Sequence, residues 1–510
     1  MSKFGFIGPT YALRSITADG QRTQNLYPEV IESGTGKGDA RMYLLSSPGL
    51  RKFCEFAGEG PIRGLFTDST RTLAVTSKSL YDLKADGTYT KLGNVWPGRD
   101  PATIASNGAQ YMITSNAGPV VYDPKQNVTI IEPPLPRDIF QCGEIDGYFL
   151  GLQKSTGTFY LSGLFDGLSW DPLDFAKKQG AADRTLAFLC DHREIWLFGG
   201  QTIEAWYNSG NPDFPFQRLP GAFAEMGIAA PASACRVDNT IFWLGSDYRG
   251  GGMVWKVNGY TPSRVSNHSI EYLISTYPRI DDAVGFTWQQ DGHAFYQLWF
   301  PTAQATLVFD ASTHMWHERT WWEPVHGIAE AHRASCHVYA FGKHLVGDRD
   351  LGIIYEQSPS FYDDDGVKIR RVRTAPHISN DMKWMFHQSL QIDMQVGIGL
   401  DGFNGLNAVT WNEETRTWQD VSETWDSIGG LSVALAGYDP QVVLQYSDDG
   451  GHTWGNEMAG SAGKIGETNW RVRWNRLGRS RDRVYRVVIT DPVKVALIDA
   501  YLRVSEGYSN

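Results

Sequence analysis

Read for where apolar and polar residues alternate, the chain is a string of short strands. One unit recurs: an apolar strand, a turn, then a second strand that ends on an aromatic residue and a polar turn. It occurs at 72–76 (TLAVT) with 79–83 (SLYDL), and at 111–114 (YMIT) with 120–124 (VVYDP). It returns at 148–152 (YFLGL) with 158–162 (TFYLS), and at 195–198 (IWLF) with 203–207 (IEAWY). Three later copies are 241–245 (IFWLG) with 253–257 (MVWKV), 294–299 (AFYQLW) with 306–310 (TLVFD), and 338–341 (VYAF) with 352–356 (GIIYE). The matching aromatics are Tyr81, Tyr122, Tyr160, Trp206, Trp255, Phe309 and Tyr355, spaced by 41, 38, 46, 49, 54 and 46 residues. A period of about 40–50 residues is that of a propeller blade, a four-stranded sheet that cannot cover both faces alone and so stacks radially on its neighbours. Seven repeats predict an all-β fold with a β-propeller of about seven blades; six or eight stay open, as does an array of β-sandwiches with chance spacing.

The propeller is expected over 61–373, with 1–60 as an arm or ring-closing segment and an exposed Gly-rich loop at 33–39. A boundary is expected near 374–381, after the basic run 368–373 (KIRRVR). Beyond it 389–396 (SLQIDMQV) alternates as a strand does, and strand patterns resume from 442 to 504. Residues 381–510 are therefore expected to form a second, β-sandwich-like domain. Within it 401–437 reads as an insertion, with Asp401, Glu413, Glu414, Asp420, Glu423 and Asp426 against Arg416 alone over 401–430.

Composition agrees with this picture. The 54 Gly, 24 Pro, 18 Trp, 23 Tyr and 24 Phe suit short strands joined by tight turns. The net charge of −11 argues against a general nucleic-acid coat but not against a lumen through which DNA passes. No apolar run is long enough to span a bilayer, and no secretory signal opens the chain. Cys54, Cys142, Cys190, Cys235 and Cys336 are scattered and never spaced C-x-x-C, so they read as small apolar groups in a reducing compartment.

The sharpest motif is 447–454 (SDDGGHTW), an Asp-box. Ser447, Asp449, Gly451, Thr453 and Trp454 are its fixed positions. The pattern builds a hairpin: Asp449 accepts backbone N–H groups within the turn, Gly451 permits positive φ, and Trp454 packs back on the sheet. Sialidases carry such boxes, but so do many non-catalytic β-proteins, and a glycosidase would need an arginine trio and a nucleophile pair that no spacing here selects. Seven arginines, at 471, 473, 476, 479, 481, 483 and 486, fall within sixteen residues. In 470–474 (WRVRW) Arg471 and Arg473 alternate with Trp470, Val472 and Trp474, which places guanidinium groups on one face of a strand. Arg471, Arg473, Arg476 and Arg479 are candidates for contact with a neighbouring subunit's carboxylates or with DNA phosphates, against the alternative of a solvated strand face. The run 363–366 (DDDG) is expected to be a turn rather than a calcium loop, and His314 with His317 lacks the further ligands that zinc requires. No catalytic, cofactor-binding or metal-binding residue is expected.

Long segments resemble the packaged-DNA stabilisation proteins of short-tailed phages, which form the tail hub or nozzle. They are 24–29 (QNLYPE), 45–50 (LSSPGL), 194–199 (EIWLFG), 203–208 (IEAWYN), 214–218 (FPFQR), 227–231 (GIAAP) and 239–245 (NTIFWLG). They continue at 439–454 (DPQVVLQYSDDGGHTW), 463–467 (GKIGE), 471–474 (RVRW), 477–479 (LGR) and 491–495 (DPVKV). The insertion at 401–437 and the weak match over 62–135 depart from the family. The resemblance implies a non-enzymatic virion protein assembled in the host cytoplasm as a ring of six copies below the portal. That ring would contact a head-to-tail adaptor and a tail needle or tailspike, extend the DNA channel and retain the packaged genome. The competing class is a glycan-binding or sialidase-like propeller.

Overall fold

A computed structural model describes residues 2–31, 42–130, 133–211, 214–246, 251–397, 439–464 and 466–507. The loop expected at 33–39 and the insertion expected at 401–437 lie outside the described residues. The chain forms two compact units, one of 10–14 and 48–359, the other of 1–9, 15–47 and 360–510.

The first unit is the propeller. Six blades each use a contiguous stretch of chain. The first is Gly64–Thr67, Thr72–Val75, Ser79–Leu83 and Tyr89–Asn94. The second runs from Thr103–Ser106 to Val128–Ile130, the third from Ile139–Ile145 to Asp166–Ala176, and the fourth from Thr185–Asp191 to Phe216–Ala224. The fifth has Thr240–Ser246 and Gly252–Asn258 at its centre, and the sixth runs from Val284–Gln290 to Met315–Glu318. A seventh is composite. Ala334–Ala340, Lys343–Asp348 and Ile353–Ser358 receive Gly49–Glu55 as their fourth strand, so an early segment of the chain closes the ring. The seven repeat aromatics all lie on the third strand of their blade.

The inner strands of successive blades pack on one another in a closed cycle, with Pro231–Ser233 and Gly227–Ile228 making the step from blade four to blade five, and Ala334–Ala340 of the seventh returns to Gly64–Thr67 of the first. The approach of blade two to blade one is close: a Cβ on Gly64 would sit 2.5 Å from the carbonyl oxygen of Ala102, at the entry to Thr103–Ser106, so only glycine fits there. Between blades the filling is mostly apolar: Leu73, Val75 and Leu80 meet Tyr111, Ile113 and Tyr122 between blades one and two. Each such fully buried side chain contributes about 1.5–3 kcal/mol.

The second unit is a sandwich of two sheets. One contains Leu26–Val30, Met42–Ser46, Ala496–Glu506, Met385–Met394 and Val472–Asn475. The other contains Gly20–Gln24, Arg371–Thr374, Asp482–Ile489, Gln441–Ser447 and Met458–Ser461. Leu44, Leu390, Val472, Trp474 and Leu502 from the first meet Val442, Leu444, Tyr485, Val487 and Ile489 from the second in one buried core.

The expected boundaries of 1–60, 61–373 and 381–510 do not coincide with these units. The first sixty residues are shared out, with Gly49–Glu55 in the propeller and Gly20–Gln24, Leu26–Val30 and Met42–Ser46 in the sandwich. The run 368–373, ahead of the expected boundary, already belongs to the sandwich: Arg371–Thr374 pairs with Gly20–Gln24 on one side and Asp482–Ile489 on the other. Backbone ladders between residues 112 to 352 positions apart, which local composition does not report, decide both points.

Candidate functional site

The Asp-box joins Gln441–Ser447 to Met458–Ser461 at one end of the sandwich. Gly450 and Gly451 turn the chain with φ of 77° and 95°. The Ser447 hydroxyl donates to Asp449 Oδ1 at 2.6 Å and accepts the Gly451 N–H at 2.8 Å. The Thr453 N–H donates to both Asp449 oxygens at 2.9 Å, and its hydroxyl donates to Oδ2 at 2.5 Å. The Ser447 and Thr453 bonds hold the Asp449 carboxyl well below the usual carboxylate range. The carboxylate is exposed. Asp449→Ala should therefore lower the melting midpoint by only a few degrees, roughly 2–4 °C, the scale of about one net hydrogen bond. An unchanged midpoint in a thermal melt would remove the turn's claim on stability.

The neighbouring Asp448 carries a stronger contact. Arg483 donates to it through Nε at 2.6 Å and Nη2 at 2.7 Å, a bidentate pair, while the guanidinium lies 4.0 Å over the Tyr446 ring. Burial works against the Arg483 charge, yet its hydrogen bond to Asp448 leaves the pKa raised. Arg486 lies 3.9 Å over Trp454 and donates to Gln445 Oε1, tying the half-buried indole to the sheet. Burial, with Arg370 nearby, lowers the pKa of Arg486 to about 10.

The seven arginines thus separate by role. Arg483 and Arg486 hold the Asp-box hairpin, whereas Arg471, Arg473, Arg476, Arg479 and Arg481 are exposed. Val472 and Trp474 point into the core opposite Arg471 and Arg473. Trp470 does not join them. It precedes the strand, is 45% exposed, and donates from Nε1 to the Ser461 carbonyl. Arg479 and Arg481 stack on the same indole, Trp384, at 4.7 and 4.8 Å, and Arg473 donates to Ser389 Oγ at 3.2 Å. Among the described residues none of the five pairs with a carboxylate. Phe386, opposite Arg479 in register, and Met382 are exposed beside them. The result is a cationic face backed by aromatic rings.

The seam between blades six and seven is polar, which no spacing in the sequence signals. His293 bonds Asp310 at 2.7 Å. Arg319, 1% exposed, donates to Gln357 Oε1 at 2.7 Å, His332 Nε2 at 2.9 Å and the Pro48 carbonyl at 2.9 Å. A donor on Nε2 requires His332 to be neutral there. Burial pushes the His332 pKa well down and that of His317 down to about 3. Further out, His337 and His344 lie at 3.1 Å in a cavity of about 570 Å³ that also takes in Arg236, Asp238, Trp288 and Tyr339. Among the described residues no group of three or more His, Cys, Asp or Glu is arranged to hold a metal ion.

Comparison with known proteins assigns the two units. The chain resembles, at 8–10% identity, the extracellular domain of a putative hybrid two-component system, BT4673, from B. thetaiotaomicron, and the N-terminal domain of Nup159. The first likeness covers 61% of this chain and 40% of that one with a TM-score of 0.41; the second covers 66% and 98% with 0.38. Likenesses this distant say nothing of function. No curated protein matches the sequence significantly. Two family models do match: "Bacteriophage P22 Gp10, beta-propeller" over residues 21–360 and "Bacteriophage P22 Gp10, beta-sandwich" over 370–505. The chain therefore belongs to the bacteriophage P22 Gp10 family and is a structural protein of the phage tail, a component of the virion.

Proposed function

We propose that the protein assembles as a ring of six copies below the portal and adaptor rings, extends the DNA channel and retains the packaged genome until ejection. The observation that carries this is the reach of the match: propeller and sandwich models together take in almost the whole chain, in order. Supporting it, a propeller closed by its own N-terminal strand is a rigid building block, and the net charge of −11 gives a lumen little attraction for phosphate. The exposed arginines are proposed as a subunit contact rather than a DNA site. The glycan-reading alternative rested on the Asp-box, which lies in the sandwich at 447–454 and not on a blade.

In a phage with this gene interrupted, heads should fill and then leak, because packaging acts through the portal before the tail is complete. Purified protein added to freshly filled heads should slow the leak through contacts on the order of 1,000 Å² or more. The measured quantity is the ratio of full to empty particles over time. Stable full heads that fail only at adsorption would overturn retention and favour receptor recognition.

A further inference from the structure

The outermost strand of blade three, Asp166–Ala176, is eleven residues long and pairs on one side only, with Phe159–Gly163. Blade edges are ordinarily kept short or charged, because a free backbone edge with apolar side chains invites another chain. This edge is long, and although a bulge, Pro172 and two aspartates interrupt it, it still holds large apolar side chains in solvent. Register jumps from Tyr160↔Phe175 to Ser162↔Trp170, so residues 171–174 (DPLD) bulge outward from the ladder. Leu173 at the bulge is 80% exposed, Phe175 beside it 45%, and Leu164 and Phe165 at the hairpin turn 53% and 57%. Asp171 and Asp174 flank Leu173, and no cation pairs with either among the described residues. The Asp174 pKa is raised, first by burial and then by repulsion from Asp171. An apolar knob held between two unneutralised carboxylates fits a surface that is aromatic and cationic.

The chain carries such a surface in its sandwich: Arg471, Arg473, Arg479 and Arg481 with Phe386 and Trp470, where guanidinium groups stand in excess as carboxylates do on blade three. We infer that the blade-three edge of one copy docks on the arginine face of the next. This rests on the ring proposed above and specifies its interface. The contact is heterologous, a different patch on each side, which is the kind of contact that closes rings when the rotation permits. Leu173 supplies the buried anchor, and Asp171 and Asp174 meet guanidinium groups that pair with no carboxylate among the described residues.

A charge-swap set in the full chain tests it, read as oligomer size by mass photometry and electron microscopy. Asp171→Arg with Asp174→Arg puts like charges on both surfaces, as does Arg471→Asp with Arg473→Asp. Each variant should raise the concentration for half-assembly at least about tenfold, equivalent to about 1.4 kcal/mol per contact. Mixing the two variants, or combining all four substitutions in one chain, should restore rings to within about threefold of the parent. Leu173→Asp should weaken assembly while leaving the melting midpoint unchanged, since the side chain is solvated in the monomer. Assembly that ignores both single-sided variants overturns the interface and leaves the ring standing. Loss without rescue in the mixture also overturns it. A parent chain that stays monomeric at every concentration and on filled heads overturns the ring as well.

Discussion

Acidification from about pH 6.5 to 4.5 should remove on the order of 5 kcal/mol from the stability of the propeller, a large share of what a domain of ordinary stability has. The cause is the seam between blades six and seven. His317 and His332 are each 1% exposed. Burial dominates at both. At His317 it outweighs Asp310, while Arg319 and His293 act with it; at His332 Arg319, Arg349 and Arg333 add to it. Both are neutral in the folded chain. In the unfolded chain they take up a proton near pH 6.5, so below that pH the unfolded state binds more protons and stability falls. Each histidine contributes a slope of about 1.4 kcal/mol per pH unit, down to a folded value near 3 for His317. Asp310, whose pKa is lowered because its bond to His293 overcomes burial, acts in the same direction at lower pH. His337, also pushed down to about 3 by burial and by His344, is partly exposed and adds less. The measurement is the urea midpoint as a function of pH. In a variant carrying His317→Gln and His332→Gln the slope between pH 6.5 and 4.5 should flatten, and an undiminished slope would refute the assignment to this seam.

Arg373→Met should cost about 3–5 kcal/mol, the range for stripping a buried charged group from its partners. Arg373 is wholly buried and charged at neutral pH, its pKa lowered by burial only to about 9. It donates to the Phe6 carbonyl at 2.5 Å, the Pro9 carbonyl at 3.1 Å, Thr23 Oγ1 at 2.9 Å and Gln21 Oε1 at 2.6 Å. One side chain thus pins two N-terminal stretches to the strand Arg371–Thr374, and its loss takes the donor from two buried acceptors and two part-buried ones. Arg471→Met, on the exposed face, should stay within about 0.5 kcal/mol of the parent. Equal effects of the two substitutions in denaturant melts would contradict this division of the arginines.

Much of this protein is legible in its residues alone, and the reason is local. Alternation and turn residues report which face of a strand is buried within a few positions, so 148–152 and 158–162 read as paired strands and are. Seven such pairs at a blade-like period imply a propeller, and the aromatics that define the period sit on equivalent strands. The Asp-box hairpin is legible for the same reason, since its donors and acceptors lie within four residues of one another. Tertiary structure alone decides whatever depends on partners distant in sequence. It brings Gly49–Glu55 to the seventh blade across 300 residues, buries Arg373 among carbonyls from 6 and 9, and picks Arg483 from a run of look-alikes to clamp Asp448. Arg471 and Arg483 lie in one arginine-rich run and part ways through what the fold places opposite them. A guanidinium facing a carboxylate or a ring of carbonyls becomes structure, and one facing solvent stays free to meet another chain.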